Sequence, residues 1–377
     1  MQPTTKERFL ALDVFRGMTI CLMIIVNTPG NGETSFAPLK HAHWNGFTPT
    51  DLVFPSFMFV VGNAMSFVMR RWSEMSTGAV LGKIFKRTLI IFLCGYLLYW
   101  FPFFEYNDQH HLILKPIADT RIFGVLQRIA LAYCFASLML YFLGTRTTVI
   151  LTVIILILYW PVMVYFGTGD DPLDVHTNAM LRLDTWLIGT NHLYRGEGFP
   201  FDPEGFLSTF PSLGNIVAGY LVGKYVQKTG KTYEGLAKLF MAGFILFVIA
   251  FWWNYGFPIN KKIWTSSFVL HTIGLDCMIL ACIMYYVDFL NRRTGVRFFE
   301  VFGKNPLFIY LVSELSIGIF YMIHIGGTPL PEWLFQNVFS LGGAIPYIGS
   351  LLFAIFYMLY CWLVGYILDK KKIYVRV

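Results

Sequence analysis

Residues 147–166 read TTVILTVIILILYWPVMVYF, twenty consecutive positions without a charge. At the helical rise of about 1.5 Å per residue such a run is about 30 Å long, the thickness of a bilayer's hydrocarbon core. It predicts a membrane-spanning helix. Nine further apolar runs bounded by polar flanks lie near 9–27, 51–69, 88–104, 122–143, 206–226, 235–253, 263–287, 300–322 and 345–368. The expected fold is all-α, a polytopic integral membrane helix bundle of about ten transmembrane helices, with residues 1–377 forming a single transmembrane domain.

Composition agrees. Of 377 residues, 56% are hydrophobic and 14% charged, with a mean hydropathy of +0.58, whereas ordinary soluble domains carry about 25% charged residues. This argues against a soluble enzyme. The net charge of +7 comes from Lys and Arg in short connectors, not from a continuous basic stripe, so nucleic acid is not an expected partner. On alternate sides of the spans, nineteen Lys and Arg (Lys6, Arg8 and Arg376 among them) face seven, which places both termini in the cytoplasm by the positive-inside rule. The first run ends at Asn27 with no small-residue cleavage site, so it reads as a retained span. All six cysteines fall within apolar runs and are expected to be free, buried thiols. No repeat of 20–50 residues is visible, and with it no sign of an inverted-repeat transporter.

In this orientation the inner connectors are short and basic, while the outer ones are longer and rich in His, Trp, Asp, Asn, Gly and Pro. The longest outer segment, about Gly167 to Gly205, holds Asp184, Trp186, Tyr194, Asp202 and Glu204. Carboxylates beside aromatics suit a polyhydroxylated ligand, and an ordinary solvated loop is the competing reading.

Charges inside spans are costly and need partners or a wet cavity. Asp13 and Arg16, three apart, share a helix face; they are either a self-neutralising pair or leave Arg16 to hold an anionic ligand entering from the cytoplasm. Arg128 has no carboxylate within four residues. It is either a clamp for phosphate or carboxylate or a structural partner of Asp276 or Glu314. His271 and Lys304 add to the polarity of the last spans. The strongest constellation is the first outer hairpin: Asn27 closes span one, Asp51 opens span two, and Lys40-His41-Ala42-His43-Trp44-Asn45-Gly46 lies between. An imidazole there can accept and return a proton while a carboxylate fixes its tautomer, and an amide N–H can donate to an oxyanion. His41 and His43 at i,i+2 also suggest a metal, yet no cysteine ligand or HExxH-like helix accompanies them, and no metal is expected. A bland interfacial loop anchored by Trp44 remains open.

The stretches Ala11–Gly17, Val26-Asn27, Lys40–Thr48 and Asp51–Pro55 resemble the heparan-α-glucosaminide N-acetyltransferase family. Gly124–Ile129, Phe201–Gly205 and Asn260–Thr265 match later in the same order. The resemblance implies a multispan acyltransferase that takes acetyl-CoA from the cytoplasm and acetylates the amino group of a glucosamine-type sugar on the far side. It assigns catalysis to His41, supported by Asn27 and Asp51. Arg16, Gln127, Arg128, Lys261 and Trp264 are expected to contact the acetyl donor, and Trp44, Asn45, Asp202 and Glu204 the sugar. Because the chain begins almost at span one, it resembles the compact bacterial form, expected in the inner membrane and acting on free glucosamine, an amino-sugar fragment or an envelope glycan. Homo-oligomerisation is left open. A transporter for an amino sugar or other small solute is the alternative, because buried charges also serve a proton-coupled carrier.

Overall fold

A computed structural model describes residues 9–106 and 111–375, so Lys6, Arg8 and Arg376 lie outside the described residues. The helices are α1 (Leu10–Asn27), α2 (Pro49–Val68), α3 (Thr77–Trp100), α4 (Val125–Phe142), α5 (Gly144–Phe166), α6 (Ala179–Ile188), α7 (Phe206–Thr229), α8 (Tyr233–Trp253), α9 (Ser266–Met284), α10 (Val296–Lys304), α11 (Pro306–Met322), α12 (Leu330–Leu334) and α13 (Pro346–Lys370). Short 3-10 and π-helical turns and two short antiparallel hairpins, Phe104–Tyr106 with Leu112–Leu114 and His324–Ile325 with Thr328–Pro329, accompany these helices.

Among the described residues, eight helices are long and apolar enough to cross a membrane, and α10 with α11 makes nine if that bent pair is one span. The chain is an all-α polytopic membrane protein. Helix α3 covers most of the span expected at 88–104 but is not among the eight: it starts at Thr77, and Lys83, Lys86 and Arg87 occupy its first half. The span expected at 300–322 is broken by an 84° bend. Its cause is local: Pro306 opens α11 at a position where its missing N–H costs nothing, and it pushes Asn305 out of helical backbone to φ −131°, ψ 50°. Asn305 then donates to the Ile373 carbonyl at 2.9 Å and accepts from the Val375 N–H at 2.9 Å.

The chain forms two compact units. The first comprises 9–40, 226–244 and 275–375 among the described residues. There α1 packs on α10, α11 and α13, and the turn after α1 is pinned by Ser350, which donates to Asn31 O at 2.9 Å and accepts from Asn31 N at 3.2 Å.

The second comprises 41–106, 111–225 and 245–274. Its sequence permits unusually close helix approach where α2 crosses α7: a Cβ on Gly62 would lie 1.8 Å from the Ile216 carbonyl oxygen, and one on Gly219 1.9 Å from that of Phe59. Small residues are what let helix backbones meet in a membrane, where lipid is as apolar as leucine. By contrast, α5 turns Ile150, Val153, Ile154, Ile157 and Leu158 outward, as a lipid-facing helix should. All six cysteines are free, but they are not all buried: Cys282 is exposed and Cys94 half-buried. An apolar span facing lipid hides a thiol from water without covering it with protein.

Gly62→Val should lower the melting temperature in detergent by several degrees, since overpacking a close contact costs about 1–3 kcal/mol. Gly82→Ala, at a site with open space around it, should leave the protein unchanged or slightly stabilised. Equal melting temperatures for Gly62→Val and wild type would refute the contact.

Candidate active site

Thr48-Pro49-Thr50-Asp51 forms a capping box at the start of α2, with Asp51 at the third helical position reaching back to the Thr48 N–H. This fixes the Asp51 carboxylate at the mouth of the helix. Its Oδ2 accepts from Thr48 N at 3.0 Å, Thr48 Oγ1 at 3.1 Å and Ala42 N at 3.1 Å. Its Oδ1 lies 2.7 Å from His41 Nδ1. Asp51 itself is fully buried, while the His41 side chain is 46% exposed. A carboxylate accepts from Nδ1–H, so the tautomer is set and the Nε2 lone pair is left for chemistry.

A second loop, between α8 and α9, closes onto this one. Gly46 N donates to Ile259 O at 2.8 Å, and Asn260 Nδ2 donates to Asn45 Oδ1 at 3.1 Å. Asn260 also caps its own turn, accepting from Ile263 N at 3.1 Å. The result places Lys261 Nζ 3.1 Å from both His41 ring nitrogens and 4.0 Å from Asp51 Oδ1. Lys262, next in sequence, instead pairs with Glu197 at 2.5 Å.

Beside this cluster is a buried ionic network. Arg121 grips Asp202 with both arms, Nε to Oδ2 at 2.8 Å and Nη2 to Oδ1 at 2.6 Å, and reaches Glu204 Oε2 at 2.6 Å. Its guanidinium lies between the rings of Tyr99 and Tyr194, 4.8 and 4.5 Å from their centroids. Arg128, fully buried, donates through Nη2 to Pro203 O at 2.9 Å, to Gly205 O at 3.3 Å and to Ser208 Oγ, and stacks on Trp264 at 4.7 Å. Its hydrogen bonds thus go to the loop before α7 and to the first turn of that helix, not to a carboxylate. Trp264 adopts a left-handed backbone, φ 51°, and its buried indole donates to Asn215 Oδ1 at 3.3 Å.

Burial pushes the Lys261 ammonium below its ordinary pKa, against the pull of Glu204 and Asp51. Burial would likewise raise Glu204, but Arg121, Arg128 and Lys261 outweigh it and hold the carboxyl low. Asp202 stays above its usual range because burial exceeds the effect of Arg121. Asp184 is pushed up to about 7, chiefly by burial, with the neighbouring Asp202 charge adding to it.

The sequence-derived residues therefore divide. His41, Asp51 and Lys261 meet, and Asn45 joins their two loops. Trp44 packs edge-on against Phe201, 5.8 Å between centroids. Asp202 and Glu204, expected on the sugar, have carboxylates committed to Arg121. Gln127 is fully buried. Asn27 and Arg16 belong to the first unit, where Asn27 donates to Glu314 at 3.4 Å and Arg16 pairs with Asp13 at 3.6 Å and reaches Gly303 O at 3.3 Å. Among the described residues no group of three or more His, Cys, Asp or Glu is placed to hold a metal ion. Sequence reading missed Arg121, Asn260 and the contact of Lys261 with His41. Arg121 was detectable as a cation at a span end with an acidic pair, Asp202 and Glu204, elsewhere in the chain; the other two carry no local signal.

A polytopic α-helical membrane protein with an imidazole held by a buried carboxylate is the class these features define. The family model described as "Heparan-alpha-glucosaminide N-acetyltransferase, catalytic" matches residues 8–252, and the chain belongs to that family. Curated relatives named heparan-alpha-glucosaminide N-acetyltransferase are 28% identical to it in Mus musculus, over 83% of this chain and 55% of the relative, and 28% in Homo sapiens, over 84% and 55%. The chain spans about half the length of these relatives.

Asp184 supplies a stability test. Its folded carboxyl keeps a proton up to about pH 7, whereas the unfolded chain releases it near the ordinary aspartate value of 3.8. Between those values the unfolded state binds fewer protons, so stability falls as pH rises and stays low above 7. Asp184→Asn retains an oxygen for the Phe206 N–H, which Asp184 Oδ1 accepts at 2.9 Å. Its melting temperature relative to wild type should increase by several degrees between pH 5 and pH 8. A difference independent of pH would contradict the assignment.

Proposed function

We propose that the protein is a membrane acyltransferase that moves an acetyl group from acetyl-CoA to the amino group of a glucosamine-type sugar. The donor enters from the cytoplasm and the acceptor is met on the opposite face of a bacterial inner membrane. The observation that carries this reading is the His41 Nδ1 to Asp51 Oδ1 contact at 2.7 Å on a ring that remains half-exposed. With Nδ1–H held by the carboxylate, Nε2 is the basic and nucleophilic atom.

Two routes use the same atoms. In direct transfer Nε2 removes a proton from the acceptor nitrogen as that nitrogen bonds to the acetyl carbonyl carbon; the C–S bond breaks and the departing thiolate takes the proton from the imidazolium. In the covalent route Nε2 itself displaces the thiolate, and the sugar amine then attacks the acetyl-imidazole and regenerates His41. Asp51 stabilises the positive ring in either case. Trp44 and the exposed Asn45 serve the sugar. Asp202 and Glu204 contribute by fixing Arg121 at the rim, and Gln127, Arg128 and Trp264 form the buried wall behind it.

Purified wild-type protein given radiolabelled acetyl-CoA and glucosamine should release CoA in proportion to labelled N-acetyl product. His41→Ala should abolish transfer, and Asp51→Asn should reduce it by about 10²–10⁴-fold, the range of a general acid–base contribution. Without acceptor, the covalent route leaves label on His41 and direct transfer leaves none. Wild-type turnover by a folded His41→Ala protein would remove the assignment.

A further inference from the structure

We propose, resting on that acyl-transfer reading, that Lys261 is a catalytic residue of the site: its ammonium stabilises the oxyanion formed on the acetyl carbonyl beside His41.

Lys261 is not needed to satisfy Asp51. Both Asp51 oxygens are satisfied by donors at 2.7–3.1 Å, so the 4.0 Å contact from Lys261 adds no hydrogen bond. Lys262 has a dedicated carboxylate at 2.5 Å. Among the described residues Lys261 has no carboxylate closer than that 4.0 Å contact, although its side chain is only 16% exposed. An ammonium held largely out of water without a close anion is a standing cost.

Its position explains the cost. Nζ is 3.1 Å from Nδ1 and 3.1 Å from Nε2. A donor placed in the ring plane on one lone pair cannot be equidistant from both nitrogens without colliding with the carbon between them, so Nζ sits over the ring face. Nδ1–H belongs to Asp51, and the Nε2 lone pair lies in the ring plane, off the direction of an ammonium over the face, so it does not take up the three N–H groups. At least two donors therefore remain above the reactive edge of His41.

A thioester carbonyl brought to Nε2 becomes tetrahedral there, whether Nε2 or the sugar nitrogen forms the new bond. The carbonyl π pair moves onto oxygen, the C–S bond then breaks, and the pair returns. Oxygen turned toward the Lys261 side of the ring comes within hydrogen-bonding reach of Nζ after a small side-chain rotation, as an oxyanion donor requires. A preformed cation in a poorly hydrated site is worth more to that transient anion than to a neutral ground state. The loop contacts Asn260–Asn45 and Gly46–Ile259 hold donor and nucleophile in one frame.

The test uses the full-length protein in detergent with radiolabelled acetyl-CoA and glucosamine. Lys261→Met should lower kcat by about 10²–10³-fold, the effect of losing one oxyanion donor, with KM for acetyl-CoA within about threefold of wild type. Lys261→Arg should recover at least tenfold over Met. Should the Met variant fail to fold, Lys261→Cys measured before and after treatment with bromoethylamine replaces it, with treated wild type as the control: the loss should be followed by regain as the cation is rebuilt. A Met variant with wild-type kcat, a loss confined to KM, or no regain on aminoethylation of folded protein overturns the proposal. Wild-type protein that transfers no acetyl group sinks the acyl-transfer reading itself, and the role of Lys261 with it.

Discussion

Everything at the candidate site depends on how one buried carboxylate is satisfied. Asp51 cannot hold a charge at the start of a membrane helix unless donors replace the water it has lost. The chain supplies them from its own vicinity: the helix-capping Thr48, the Ala42 amide and the His41 ring. The requirement that stabilises the helix start therefore also folds the His41–Thr48 loop inward and fixes the orientation of the imidazole. The stability of the helix start and the orientation of the imidazole use the same atoms here.

The second level of organisation is the joining of two loops far apart in sequence. Amide-to-amide contact between Asn260 and Asn45, with the Gly46 to Ile259 backbone bond, makes the loop before α9 part of the frame around His41. Beneath it, Trp264 fills the space between Phe54, Phe268 and Arg128. The left-handed backbone at Trp264 is a cost that this packing offsets, because it turns a large ring into the core while Lys261, three residues earlier, faces the imidazole.

Much of this was legible in the sequence. Charge-free runs such as 147–166 announced the spans, since lipid imposes a length and polarity requirement that few other environments share. The pairing of His41 with Asp51 could be anticipated because a short hairpin keeps both at one boundary, and Thr48-x-x-Asp51 carries a capping-box signature that places the acid at the helix mouth. What sequence could not supply is contact across long separations. Nothing near Lys261 says that it approaches a histidine 220 positions earlier. The aromatic sandwich around Arg121 depends on Tyr99 and Tyr194 arriving from different elements. The bend at Asn305 was readable in Asn305-Pro306, but an apolar run continuing on both sides masked it.

The acids around Arg121 show how strongly an environment, and not residue type, decides charge. Asp184, Asp202 and Glu204 are buried within one unit, yet Glu204 is held low while the two aspartates are raised. Glu204 gains from three cations, Arg121, Arg128 and Lys261. Asp202 receives two close bonds from Arg121, but burial and the Glu204 charge outweigh them. Asp184 has the Phe206 amide at one oxygen and no hydrogen-bonded cation. Neutralising Arg121 would therefore remove charge compensation from Asp202 and Glu204 together, and part of what keeps Glu204 anionic beside Lys261. The network is thus not merely a tie between α4 and the loop before α7: through Glu204 it helps sustain the positive charge of Lys261 beside His41.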